Sequence, residues 1–372
     1  MELQFDTSKV YAIALEGGGA KGAYQVGVWR ALQEAGVRYN AVSGTSVGAL
    51  NGAMMAMKDL SMAEKLWKDI RFSQVMNVDD ETMKRIMNRD FENFGQVKEA
   101  FRTIRDVILS GGFDTEPLRN LVAEHVDEEK IRKSGIEFFL STYSLTDRKE
   151  LDVDARELAP GELQNMLLAS AYFPAFKQEK IGGKHYTDGG VYDAIPINAL
   201  VTRGYKNLIV IRIYGFGIER RVKIPEDVSI TTIAPRANLG NLLNFSSENS
   251  AVNMALGYFD AQKMLYGLSG QDYYIDRTMT EEEAYRHLLH HVKSPSVSLR
   301  ELNEEILPAF AKKLGCTDGD YYELFLRMLE RMAQASGITP FRIRTDLEFY
   351  QEILAATDRA PDKVLDLYLI SE

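Results

Sequence analysis

Three short stretches of the chain carry residue types and spacings that suit nucleophilic chemistry. The first is Gly44-Thr45-Ser46-Val47-Gly48, which fits the pattern G-x-S-x-G. A serine on a sharp strand-to-helix turn leaves no room for side chains two residues to either side, so both neighbours must be glycine or very small. The hydroxyl then stands at a helix N-terminus, where the dipole favours developing negative charge. The same small residues would also let a helix pack tightly on a strand with no chemistry at all.

The second stretch is Gly17-Gly18-Gly19-Ala20-Lys21-Gly22. It formally satisfies G-x-G-x-x-G, the dinucleotide-binding fingerprint, which also wants an acidic residue about 20 positions on to hold the ribose. That place holds Val42-Ser43-Gly44-Thr45, with no carboxylate. Lys21 is followed by Gly22, where a phosphate-binding loop needs Ser or Thr. The other use of consecutive glycines is to present open backbone amides to an anion. Amides of Gly17, Gly18 and Gly19 aimed at the oxyanion of acyl transfer would each remove about 3 kcal/mol of barrier. Lys21 would add positive potential, brace the loop, or simply stand in solvent.

The third is Asp188-Gly189-Gly190. A serine hydroxyl needs a base to take its proton. His125, His287, His290 and His291 lie in segments patterned as charged surface helices, and His185 stands beside the Asp188 turn. A Ser-His-Asp triad in the α/β-hydrolase order needs a histidine on a loop after the acid, which none of these offers. Asp188 is therefore the better base. Its carboxylate, with an ordinary pKa of about 4, would need burial to raise its basicity. Taken alone, Asp-Gly is a turn signal.

The elements that would position these residues can be read from periodicity. Residues 10–15 form a short apolar run ending at the glycine loop. Val26, Trp29 and Leu32 then give a helix one apolar side, and Gly36 stops it. Residues 39–42 read as a second strand. After Ser46 come Val47, Ala49, Leu50, Ala53, Met54 and Met57, apolar or small all round, and such a helix must be buried. Residues 136–145 and 208–213 read as strands, 160–171 as a helix and 186–190 as a turn. Strands alternating with helices predict a parallel or mixed sheet covered by helices.

Residues 61–133 break that rhythm with a charged, helical pattern, including a stripe of Val97, Phe101, Ile104 and Ile108. Within 61–113, Met76, Met83, Met87, Phe91, Phe94 and Phe101 suit an adaptable substrate entry or lid, and suit ordinary helix packing better. After about residue 215 the strand pattern nearly vanishes.

The composition bounds these readings. The 372 residues carry 44 Lys+Arg against 54 Asp+Glu, a net charge of −10. With 45% hydrophobic and 26% charged residues the chain is ordinary globular protein. The acidic balance predicts no nucleic-acid partner, and at most transient contact with a membrane surface. Cys316 is the single cysteine, so no intrachain disulfide forms. There is no apolar run of the roughly 18 residues that span a bilayer, and Met1 to Asp6 lack signal-peptide character. The expected location is cytoplasmic. The number of subunits is left open.

Taken together, Glu16 to Gly22, Gly44 to Gly48 and Asp188 to Gly190 resemble the motifs of the patatin-like phospholipase family, in order and in spacing. The flanks Leu167-Leu168-Ala169-Ser170-Ala171-Tyr172-Phe173-Pro174 and Val191-Tyr192-Asp193-Ala194-Ile195-Pro196-Ile197 resemble the segments around the family's aspartate turn. Gly257-Tyr258-Phe259-Asp260-Ala261 looks like the helical end of bacterial members.

The resemblance implies a three-layer α/β/α fold with a central, mostly parallel sheet and a helical C-terminal region. The catalytic domain would span 8–215, with a helical insertion at about 61–133. Residues 216–372 would be mainly helical, with 237–268 packed on the catalytic domain. It further implies a lipid acyl hydrolase with Ser46 as nucleophile, Asp188 as general base and Gly17–Gly19 as oxyanion hole, needing neither metal nor cofactor. Lys21, Gly22, Gly44, Gly48, Gly189 and Gly190 would support the motifs, and the partner would be a lipid or small ester substrate. A non-catalytic lipid- or protein-binding scaffold on the same fold, or a nucleotide-binding protein using residues 17–22, are the competing readings.

Overall fold

The computed structural model describes residues 1–88, 111–292, 298–316 and 319–356. The chain forms two compact units, Phe5–Ala261 and Met1–Gln4 with Gln262–Glu372. The expected stripe of Val97, Phe101, Ile104 and Ile108 lies outside the described residues, as do Phe91 and Phe94.

The first unit is built on one sheet. Strand β1 (Val10–Leu15) is buried at every position after Val10, as a run without polar alternation must be when both faces of a parallel sheet are covered. It pairs in parallel with β2 (Arg38–Thr45) on one side and β6 (Asn207–Ile211) on the other. Strand β3 (Glu137–Ser144) continues the parallel set beyond β2, and β7 (Ser229–Ile233) beyond β6. Strands β4 (Lys149–Asp154) and β5 (Tyr186–Asp188) both pair antiparallel with β3. The order is β4-β3-β2-β1-β6-β7, with β5 branching from β3.

Helix α1 (Ala23–Glu34) connects β1 to β2, and helix α2 (Val47–Ala56) leaves β2. All of α2 except Leu50 is buried, the outcome its all-round apolar pattern demands. Gly52 lets it approach the sheet: a methyl there would meet the Phe138 ring at 2.8 Å. The opposite face of the sheet presents Ala12, Ala14, Ala41, Leu208 and Val210 to Ala199 and Leu200 of a short helix, Ile197–Val201. Helices thus cover both faces, giving three layers. Helix α1 also meets the long helix Ser247–Tyr266 through a reciprocal glycine contact. A methyl on Gly27 would stand 1.9 Å from the Met254 carbonyl oxygen, and one on Gly257 2.0 Å from that of Tyr24.

The switch in strand order falls at β1, whose flanking neighbours β2 and β6 are reached by chain running in opposite directions across the sheet. In open parallel sheets the crevice beyond the carboxyl ends of such strands is where ligands bind. The glycine loop leaves β1 there and Ser46 leaves β2 there.

Strand β5 stands where 186–190 read as a turn, and two further strands depart from the sequence expectation. β7 (Ser-Ile-Thr-Thr-Ile) lies in the stretch where the strand pattern fades, and β4 (Lys-Glu-Leu-Asp-Val-Asp) reads as polar. Both β4 and β7 are edge strands with half-covered faces, where selection for apolar residues is weak.

The second unit is mainly helical. Its helices Glu281–Val292, Leu307–Leu314, Tyr321–Ala335 and Asp346–Ala356 enclose a core that includes Leu288, Phe310, Phe325, Leu329 and Phe349. A two-stranded parallel sheet, β8 (Tyr274–Asp276) with β9 (Ile343–Thr345), completes it. Among the described residues no helix is long and apolar enough to cross a membrane.

Candidate active site

Ser46 is the single residue between β2 and α2. Its backbone sits at φ 56° and ψ −125°, a region a non-glycine residue enters only when its surroundings force it. The force comes from the flanking glycines. A methyl on Gly44 would stand 2.2 Å from the Gly48 carbonyl oxygen, and one on Gly48 2.4 Å from that of Leu15. The Ser46 N–H donates to Ser170 Oγ at 3.0 Å, and Ser170 Oγ donates onward to the Ser141 carbonyl at 2.7 Å. Ser170 therefore holds the turn. Its sequence signal was no more than a hydroxyl at the end of an apolar helix.

Asp188 arrives from the other side of β3. The antiparallel register sets it opposite Thr142, and its N–H donates to the Tyr172 carbonyl at 2.8 Å. Ser46 Oγ donates to Asp188 Oδ2 at 2.5 Å, and the Gly190 N–H donates to Oδ1 at 2.8 Å. Asp188 is only 8% exposed. Burial pushes its carboxyl up to about 6, against the opposing effect of the bonds from Ser46 and Gly190. No histidine hydrogen-bonds to Ser46 or Asp188 among the described residues.

The glycine loop wraps the same point. Gly17 lies closest, a methyl there falling 3.3 Å from Ser46 Cβ, but its N–H already donates to the Ala194 carbonyl at 2.9 Å. The Gly17 amide, one of the three expected donors, is thus engaged within the fold. The N–H groups of Gly18 and Gly19 have no protein acceptor among the described residues, and both glycines line the cavity that holds Ser46 and Asp188. Gly19 takes φ +56°, and a methyl there would meet the Leu242 carbonyl at 2.2 Å.

Several buried groups fix the loop. The Glu16 carboxylate accepts from the backbone N–H groups of Ile213 at 2.6 Å, Tyr214 at 3.0 Å and Gly215 at 3.3 Å. Gln25 Nε2 donates to the Glu16 carbonyl at 2.7 Å, and Asn51 Nδ2 to the Gly22 carbonyl at 2.9 Å. Trp67 Nε1 donates to Asn51 Oδ1 at 3.0 Å. Lys21 Nζ donates to the Tyr214 carbonyl at 2.5 Å and is not part of the cavity wall, which makes it a brace. Gly22 and Gly189 permit close approach, their added methyls meeting Val47 at 2.4 Å and the Ser141 carbonyl at 2.3 Å.

The cavity encloses about 1310 Å³ including its open mouth. Its wall is overwhelmingly apolar, with Leu50 and Met54 from α2 and Leu118, Leu121 and Val122 from the helix Glu116–His125. Phe173, Phe176, Phe216 and Phe245 add rings. Met76 is in the wall, whereas Met83 is buried elsewhere and Met87 is half-buried outside it. His125, read from sequence as a surface residue, also lines the cavity.

Asp193, just past the aspartate turn, is 2% exposed and is pushed up to about 7 by burial, with Asp152 and Glu150 adding to the rise. The folded state then holds a proton the unfolded chain has released, so its stabilising effect is lost as pH rises from about 4 through about 7. Asp193→Asn is expected to raise stability by ~1–2 kcal/mol at about pH 8 and to change little at about pH 4. Thermal unfolding at the two pH values checks this, and an equal effect at both would refute it.

The family model described as patatin-like phospholipase matches residues 13–201, just over half of the 372 residues. "Patatin-like phospholipase domain-containing protein 7" of Rattus norvegicus is 38% identical over 80 residues, covering 20% of this chain and 6% of that protein. "Lysophospholipase NTE1" of Mycosarcoma maydis is 24% identical over 202 residues, 54% of this chain and 9% of that protein. The chain therefore spans less than a tenth of the length of these relatives. Among solved structures, VipD from Legionella pneumophila aligns with a TM-score of 0.41 at 16% identity, covering 96% of this chain and 90% of that one. The type III effector ExoU aligns with a TM-score of 0.32 at 15% identity, covering 97% and 72%. The matched range takes in the glycine loop, the Ser46 turn and the Asp188 turn, and the chain belongs to the patatin-like phospholipase family.

Proposed function

We propose that the chain is a serine acyl hydrolase that cleaves carboxylic ester bonds of glycerolipids. Ser46 is the nucleophile, Asp188 the general base, and the amides of Gly18 and Gly19 hold the oxyanion. The observation that carries this reading is the 2.5 Å bond from Ser46 Oγ to Asp188 Oδ2 inside an apolar cavity. The names of the relatives, phospholipase and lysophospholipase, support the same class.

Asp188 takes the Ser46 proton as Oγ attacks the ester carbonyl carbon. The developing oxyanion meets the Gly18 and Gly19 amides, which need no reorganisation and so contribute most when charge is largest. Collapse of the tetrahedral intermediate expels the alcohol or lysolipid, which takes the proton back from Asp188. Water, activated by Asp188, then attacks the acyl-enzyme and releases the fatty acid. Ser46 is already held in a strained turn facing its base, so little ordering remains before attack.

The cavity suits a long acyl chain. Val47, Leu50 and Met54 recur along one side of α2, and at 1.5 Å per residue that wall extends about 10 Å beyond the nucleophile.

A fluorophosphonate probe is expected to label the protein and not its Ser46→Ala variant, and a panel of phospholipids, lysophospholipids and neutral glycerides to show which ester is cleaved. A protein that leaves Ser46 unlabelled and every ester intact would be a scaffold on this fold.

A further inference from the structure

Beside the cavity mouth the protein exposes a cluster of large apolar side chains. Beyond β6, Tyr214 is 53%, Phe216 72% and Ile218 61% exposed. Val191 and Tyr192 of the aspartate turn are also exposed. The two segments are joined: the Ile218 N–H donates to the Gly190 carbonyl at 2.9 Å, and the Ala194 N–H to the Ile218 carbonyl at 2.8 Å. Phe216 and Val191 belong to both places, since they also line the cavity that holds Ser46. Clustered exposed apolar groups on a monomer mark a surface that meets something.

The charge of the segment identifies what. Residues 212–224 carry Arg212, Arg220, Arg221 and Lys223 against Glu219 alone, in a chain whose net charge is −10. Arg212 pairs with Glu219, and Arg220 pairs with Glu150 at 2.7 Å while its guanidinium lies 5.4 Å from the centre of the Tyr192 ring. Arg221 and Lys223 are exposed and have no carboxylate partner among the described residues. An apolar tip flanked by unpaired cations matches the boundary between acyl chains and anionic headgroups.

We propose that residues 214–224, with Val191 and Tyr192, are a docking surface for a lipid bilayer carrying anionic headgroups. Tyr214, Phe216 and Ile218 enter the interface and Arg221 and Lys223 hold headgroup phosphates. An acyl chain then passes from bilayer to cavity along Phe216 and Val191 without crossing water. A protein partner would have no need of a patch continuous with the cavity wall. The proposal rests on the acyl-hydrolase reading for its purpose, but its test does not depend on turnover.

The experiment uses the full chain carrying Ser46→Ala, so that vesicles are not consumed, and measures co-sedimentation with phosphatidylcholine vesicles with and without phosphatidylglycerol. Partitioning is expected to favour the anionic vesicles, and Ile218→Ser with Arg221→Glu and Lys223→Glu to lower it by about tenfold or more. On the Ser46 parent the same three substitutions should leave turnover of a soluble aryl ester within about twofold, since none of these side chains enters the cavity. Should the triple variant unfold, Arg221→Ser with Lys223→Ser carries the test. Absent partitioning, equal partitioning to both vesicles, or unchanged partitioning of the variants would overturn the proposal. A Ser46 protein that partitions yet cleaves no lipid would refute the hydrolase reading and leave the docking surface standing.

Discussion

Asp188→Asn is expected to lower kcat for a soluble aryl ester by about 10³-fold or more, the range in which a positioned general base acts. That loss corresponds to about 4 kcal/mol of transition-state stabilisation. The amide keeps the shape of the carboxylate, and its oxygen can still accept the Gly190 N–H that now bonds Oδ1 at 2.8 Å. Its nitrogen would then face Ser46 Oγ as a donor, where Oδ2 now accepts at 2.5 Å. The polarity of the pair is reversed and no group remains to take the proton. The fold should not suffer, because burial already disfavours the charged form of Asp188. Equal or higher Tm beside lost turnover separates a missing base from a damaged turn. The unsubstituted protein should lose kcat/KM as pH falls through about 6, because only the ionised carboxylate accepts a proton. Turnover of Asp188→Asn above about a tenth of the parent rate would sink the assignment.

What the sequence made legible were the features enforced by local sterics. A glycine two residues either side of Ser46, an apolar strand before it and an all-apolar helix after it determine the turn, whatever the rest of the chain does. The buried course of α2 followed from the same pattern. Asp188 was different, since it meets Ser46 across 142 residues of sequence. No propensity encodes that pairing, and only the combination of three motifs made it visible. The engagement of the Gly17 amide was hidden for a related reason. Its acceptor is the carbonyl of Ala194, a backbone atom that any residue would supply. His125 shows a further limit. The apolar side of the helix Glu116–His125, with Leu118, Leu121 and Val122, borders a cavity, and helical periodicity is identical for a face that meets solid core and one that meets a cavity.

The glycines of the two turns should respond to the same added methyl to very different degrees. At Gly48 the new carbon would stand 2.4 Å from the Leu15 carbonyl oxygen and 2.9 Å from that of Glu16. Both belong to backbone fixed by β1, the central strand, so neither can yield without moving the sheet or lifting α2. Overpacking of this kind costs about 3 kcal/mol or more, which lowers Tm by about 6–12 °C in a unit of this size. Turnover should fall with it, because α2 carries the Ser46 turn. At Gly190 the nearest atoms are Asp188 Oδ1 at 3.1 Å and the Phe216 carbonyl oxygen at 3.2 Å. A side-chain oxygen and an exposed loop can give by a few tenths of an ångström, and alanine keeps the N–H that Asp188 accepts. Gly190→Ala is therefore expected to change stability by less than about 1 kcal/mol and to retain turnover within about tenfold. Thermal unfolding and aryl-ester kinetics on the two variants read both effects, and an unaltered Tm for Gly48→Ala would mean that α2 does not lie on β1 as closely as the Leu15 contact requires. The contrast also separates two jobs that glycine does at one site. Gly48 makes room for a helix against a strand, whereas what Gly190 supplies is a backbone N–H that holds the Asp188 carboxylate at 2.8 Å.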